Sequence, residues 1–204
     1  MLRIFLSCVI LSAPLHAAPD KFVESKGVVV MEAESTSSSL RKWKKKTSVQ
    51  GFTGTAHLEF TGNKPENGPP HSPLKYVFKI NKGGNYTLAI RAHKRLISER
   101  QDICNDCYVE MKGDFGSGNN TPLKVLKTET KMFGGRPKDW GYAVQLDVKH
   151  KKYTPVYRLK SGETYTLTIH GRSKNFNIDR IILVHQDSNL RKIQHSLPKE
   201  SKTE

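Results

Sequence analysis

An all-β fold, an antiparallel β-sandwich of the jelly-roll kind, is what this sequence predicts, and three observations predict it. Apolar residues recur at every second position over short runs, which is the signature of strands with one buried face. The joints between these runs carry Gly, Asn, Ser or Pro, the residues that turns demand. No apolar pattern of helical period extends beyond two turns. With 204 residues, 36% of them hydrophobic, the chain has the apolar content for one core of ordinary size.

Taken in order, the chain opens with a leader. Arg3 gives a positive start, residues 4–14 are an almost uncharged apolar run, and Ala17 stands at the cut position. This predicts a secretory signal peptide over 1–17, too short to span a membrane and followed by no stop-transfer segment. Cys8 lies inside the apolar run rather than after it, which argues against a lipoprotein. A lead-in of 18–27 precedes the first β-branched run, Val28-Val29-Val30-Met31. Residues 74–80 then alternate, with Leu74, Tyr76, Phe78 and Ile80 on one face. The turn Lys82-Gly83-Gly84-Asn85 leads into a second alternation, Tyr86, Leu88 and Ile90, and the pair reads as a hairpin. Residues 157–159 and 165–169, joined at Ser161-Gly162, repeat that pattern. A final apolar strand covers 178–184, so the sandwich domain is 28–184, and the polar stretch 185–204 is expected as a flexible tail. Two stretches, 62–73 and 113–141, are too long and irregular for simple hairpins. Long loops on a rigid sandwich are where binding resides.

Charge narrows the partners. Lys and Arg number 34 against 19 Asp and Glu, a net +15 that becomes +14 once Arg3 leaves with the leader. Such a surface suits a polyanionic partner. The run Arg41-Lys42-Trp43-Lys44-Lys45-Lys46 has the look of a nucleic-acid patch, but an exported protein meets acidic polysaccharides, wall polymers and lipid head groups instead. Two cysteines remain outside the leader, Cys104 and Cys107, in Cys-Asn-Asp-Cys. No second CxxC or paired-His motif completes a zinc site. A strand-like run, Tyr108-Val109-Glu110-Met111, follows where a redox motif would open a helix. A local disulfide staple and two free thiols both fit.

Three features carry a family resemblance: Glu32-Ala33-Glu34 at the end of the first strand, Gly-rich joints between alternating strands, and Asn175-Phe176-Asn177-Ile178-Asp179-Arg180-Ile181-Ile182-Leu183 in the last. In that order and spacing the chain resembles the carbohydrate-binding modules of families 6 and 35, galactose-binding-like β-sandwiches, over about residues 28–184. The resemblance implies a structural calcium ion held by Glu32, Glu34 and Asp179. Residues i and i+2 of a strand do share a face, so the two glutamates can converge on a hard cation. The alternative is that Arg180 or another base pairs with them. The resemblance also implies a sugar site in the loops at one end of the sandwich. Trp140 is placed as the stacking ring, Tyr142 and Lys138 lie beside it, and Asn175 or Asn177 bonds hydroxyls, with Trp43 as a second aromatic. If Trp140 is not exposed, Tyr86, Tyr108 and Tyr165 are the remaining aromatic candidates.

The function expected is therefore non-catalytic binding of an extracellular polysaccharide, and the basic loops suit an acidic or sulfated one because Arg forks match carboxylate and sulfate oxygens. A polysaccharide-degrading enzyme of the same system is the expected companion. An enzyme reading, lyase or glycosidase, lacks a spaced carboxylate pair, GxSxG, HExxH or a phosphate loop. A cationic envelope adhesin is the third reading.

Overall fold

The computed structural model describes residues 21–204. The expected signal peptide, 1–17, and Cys8 lie outside the described residues. Strands β1 (Lys21–Val23), β2 (Val28–Glu32), β3 (Trp43–Lys46), β4 (His57–Phe60), β5 (His71–Lys79) and β6 (Gly84–Lys94) come first. Then follow β7 (Asp106–Lys112), the short β8 (Gly116–Ser117), helix α1 (Leu123–Lys127), β9 (Thr130–Gly134) and β10 (Gly141–Val148). The chain closes with β11 (Lys151–Tyr153), β12 (Val156–Leu159), β13 (Thr164–Gly171), β14 (Phe176–His185) and helix α2 (Leu190–Ser196).

One ladder, β1-β5-β13-β7-β9-β10-β6-β14-β4-β3, curls back on itself to make a β-sandwich. Every pairing on this path is antiparallel except β1 with β5. The corner is β10. Its first residues pair with β6, its later ones with β9, and the register shifts between Ala143 and Gln145. A bulge that turns a strand from one layer to the other closes the sandwich without leaving an edge there.

The alternation over 74–80 holds: Leu74, Tyr76, Phe78 and Ile80 are buried, while Lys75 is exposed. They meet Tyr165, Leu167 and Ile169 of β13, and Leu88 and Ile90 of β6 with Ile181 and Leu183 of β14, in one apolar core. The two expected hairpins are a correction. β5 does not pair with β6, nor β12 with β13; β5 lies beside β13, and β6 lies beside β12. Each Gly-containing turn carries the chain across the core from one layer to the other, so the apolar faces of the two strands oppose rather than adjoin. The two crossings are tied to each other: Ile80 donates its N–H to Glu163 O at 3.0 Å, and Gly162 donates to Ile80 O at 2.7 Å.

The stretch 113–141 is likewise not a loop, since β8, α1 and β9 lie within it. Nor is 185–204 a frayed tail. The outer face of β14 presents Ile182 and Val184 beside Val30 and Ala89, and Leu190 and Ile193 of α2 pack over this apolar strip. Leaving such a strip in water would forgo about 25 cal/mol per Å² of apolar burial. Asn189 caps the helix through its side chain, which accepts from Lys192 N. The last residues then pair with the lead-in: Val23 N donates to Lys202 O at 2.8 Å and Lys21 N to Glu204 O at 3.1 Å. Cys104 and Cys107 are two buried free thiols, not a disulfide. Among the described residues no helix is long and apolar enough to cross a membrane.

Candidate functional site

Apart from Trp43, which lies in the core, and Lys138, in a turn, the residues singled out in the sequence gather around the outer face of β2, β4, β6 and β14. A bulge between Ile178 and Arg180 breaks the period-two alternation. It brings Asp179 and Arg180 to one face, while Ile178 and Ile181 stay in the core. Arg91 Nη1 donates to Asp179 Oδ2 at 2.5 Å, and the Arg180 guanidinium pairs with Glu32. Thr53 Oγ1 bridges Glu32 Oε2 at 2.7 Å and Asp179 Oδ2 at 3.0 Å. Glu34 Oε1 accepts from the backbone N–H of Thr55 at 2.6 Å and of Ala56 at 3.0 Å. A Cβ at Gly54, which sits at φ +66°, would collide with that carboxylate.

These side chains are neighbours, as the resemblance implies, but their chemistry does not fit calcium. Two guanidinium groups already neutralise Glu32 and Asp179, and a divalent cation placed there would meet both. Burial pushes the pKa of both carboxyls up, which opposes the ionised state a hard cation needs in its ligands, and the guanidinium partners already offset that cost. The alternative weighed from sequence, pairing with Arg180, is the arrangement found.

The sugar-binding expectation is corrected too. Trp140 is only 5% exposed. The loop over 49–53 folds across it, Gln50 O accepts its indole N–H at 2.9 Å, and Arg91 stacks over its ring at 5.2 Å. His57 and His93 contact its edges at 5.4 and 5.8 Å between ring centroids. Trp43, 1% exposed, packs on Phe60 and donates to Ser72 O. Asn177 is fully buried and bonds Asn175 O at 2.9 Å. Asn175 accepts from Arg95, which also grips Glu59 with two bonds of 2.7 and 3.0 Å. Tyr142 packs under α2, its hydroxyl bonding Gln194 O. Lys138 is exposed, in the turn between β9 and β10. These groups build a cross-linked outer face rather than an open sugar platform. Tyr86 and Tyr165 are buried as well.

A different face presents rings to solvent. Along the outer side of β13, β7, β9, β10 and β11, cross-strand pairing sets His170, Tyr108, Lys131, Asp147 and Lys152 in one row. Phe133, opposite Asp106, stands diagonally from Tyr108, within reach for two rings on one face. Both rings are half-buried, while the alternate residues Cys107, Val109 and Met132 go into the core. Arg172 lies over Tyr108 at 5.9 Å and Lys152 over Phe133 at 5.7 Å. Two adjoining grooves, of about 610 and 390 Å³, share Lys131, Asp147, His150 and Arg172 as walls. Lys131 pairs with Asp147 and Arg172 with Asp106, both at 2.5 Å. Burial works upward on Asp147, but the Lys131 ammonium wins and holds it below the usual carboxylate range. Lys124, Lys149 and Lys152 have no carboxylate partner among the described residues; the larger groove carries a positive surplus, while the smaller is lined by acidic and basic residues in equal number. A larger groove, about 770 Å³, runs along Thr166, Thr168 and Lys75, but its two aromatic residues, Phe22 and Tyr76, are buried.

The glycosyl hydrolase family 115 C-terminal domain matches residues 21–192. The chain belongs to that family. Of solved structures, the GH26-CBM35 β-(1,4)-mannanase of Podospora anserina is similar at TM-score 0.51 and 15% identity, over 81% of this chain and 29% of that one. A family 35 carbohydrate binding module from Clostridium thermocellum gives 0.46 and 14%, over 78% and 98%. The CBM35 from Paenibacillus barcinonensis gives 0.46 and 17%, over 78% and 99%. At such identities the likeness is one of fold. The chain spans about three-tenths of the mannanase's length. No curated protein matches the sequence.

Of the open face, only Tyr108 was among the aromatic residues considered from sequence. The signal for the others was present in Thr130-Lys131-Met132-Phe133, where Met132 alternates inward and Lys131 and Phe133 outward.

Proposed function

We propose that this domain binds an acidic polysaccharide outside the cell, without catalysis, on the face carrying Tyr108 and Phe133. The single observation that carries the reading is that two half-buried rings share their grooves with Lys124, Lys149 and Lys152, which lack carboxylate partners. A pyranose ring buries its C–H face on an aromatic ring, and uronate or sulfate oxygens take the free ammonium groups. The stretches 62–73 and 113–141, expected to bear binding, both contribute to these grooves, through Glu66 and through Lys124, Lys131 and Phe133. Ion pairing of Asp106 and Asp147 supports a non-catalytic role, because hydrolysis needs one carboxyl kept protonated beside one ionised. Membership of a glycosyl hydrolase C-terminal family supports work beside a polysaccharide-degrading enzyme, and the signal peptide expected over 1–17 from the sequence would export it.

Affinity electrophoresis against neutral and uronate-containing glycans tests this. Retardation is expected with the acidic glycans, weakening but persisting as salt rises, and the triple substitution Lys124→Gln, Lys149→Gln, Lys152→Gln should remove most of it. Binding that vanishes wholly near 0.5 M salt would mean adhesion by charge alone, and release of reducing sugar would mean an enzyme.

A further inference from the structure

A second constellation adjoins the aromatic face and does not depend on any glycan. Glu110 of β7 stands opposite Thr168 of β13, and His170 lies two residues along β13, so both side chains project from the same outer surface. Glu129, from the link between α1 and β9, brings its Oε1 to 3.3 Å from His170 Nε2. One ligand atom from each of the three lies within 4.8 Å of the other two. His170 is 9% exposed, and its Nε2 is buried with no hydrogen-bond partner. A buried polar atom left so costs about 1–3 kcal/mol unless something satisfies it.

We propose that Glu110, Glu129 and His170 form a site for a first-row divalent metal ion, of which zinc is the representative. An imidazole nitrogen with two carboxylates is a donor set for zinc and its neighbours rather than for calcium, which takes oxygen throughout. Two converging carboxylates repel, and Lys112, 3.9 Å from Glu110, is the one cation paired with them among the described residues. A divalent ion cancels both charges and occupies the unpartnered nitrogen. Glu129 is exposed, which leaves an entry path and open coordination positions.

The test is calorimetric titration of zinc into chelator-stripped, tag-free protein, with thermal melting alongside. One ion per chain is expected, with a rise in Tm that follows from binding to the folded state alone. Glu129→Gln is the informative variant, because an exposed loop side chain can be changed without loss of fold. It should weaken zinc at least about tenfold and abolish the Tm rise while leaving the zinc-free Tm in place. His170→Gln should do the same to affinity. No saturable binding, or binding that Glu129→Gln leaves unchanged, overturns the proposal.

Discussion

Arg91 and Asp179 meet at 2.5 Å on the outer face of adjacent strands, and the bulge at Asp179 sets Arg180 to pair with Glu32 on the same face. Two buried ion pairs thus stand where the family resemblance implies a calcium ion. Adding calcium to chelator-stripped protein should leave the Tm unchanged. Arg91→Ala should cost about 3–5 kcal/mol, because it strands a buried carboxylate. Urea unfolding measures the second, and a calcium-dependent rise in Tm would contradict the first.

Trp140 holds the 49–53 loop to the outer face and lies under Arg91. Trp140→Ala should therefore destabilise by about 3–5 kcal/mol, as large-to-small changes in packed sites do. The milder Trp140→Phe should stay folded and bind glycan as the parent does. Urea midpoints and glycan affinities of the pair separate a structural ring from a binding one.

Acid should weaken the fold early. Burial lowers His57 to about 4, and His93 and His170 shift the same way. Between the unfolded value of about 6.5 and that folded value, the unfolded chain binds more protons. Stability is whole above pH 6.5 and falls as pH drops through this window, by up to about 3 kcal/mol for His57. Urea midpoints at pH 7 and 4.5 check this, and His57→Gln should flatten the slope.

Cys104 and Cys107 should react with a thiol reagent only after unfolding, since both are buried and burial raises both thiols above their ordinary value. Two thiols per leader-free chain are expected in denaturant, and reductant should not move the Tm. Fewer than two would mean oxidation.

What the sequence made legible is what local periodicity encodes. Residues 74–80 and 165–169 read as strands because their alternation is written in neighbouring positions. The hairpin error arose because a Gly-containing turn looks alike whether it joins neighbours in one layer or crosses the core. Trp140, set among Lys138, Asp139 and Gly141, reads as exposed; its cover, Gln50 and Arg91, lies 90 and 49 residues away and has no local trace. The Glu32, Glu34 and Asp179 cluster was legible as a neighbourhood. Its arginine partners were only half so, since a bulge decides which way Arg180 points. Helix α2 left a signal that polarity masked, namely Leu190 and Ile193 three apart after the capping residue Asn189.

The central claim is that the rings of β7 and β9 take the sugar. Its most direct test is the affinity of Tyr108→Ala and Phe133→Ala for the acidic glycan that the parent binds best, with the Tm of each recorded. Each substitution should weaken binding about tenfold or more while far-ultraviolet circular dichroism stays that of the parent. Unchanged affinity in both folded variants would contradict the account.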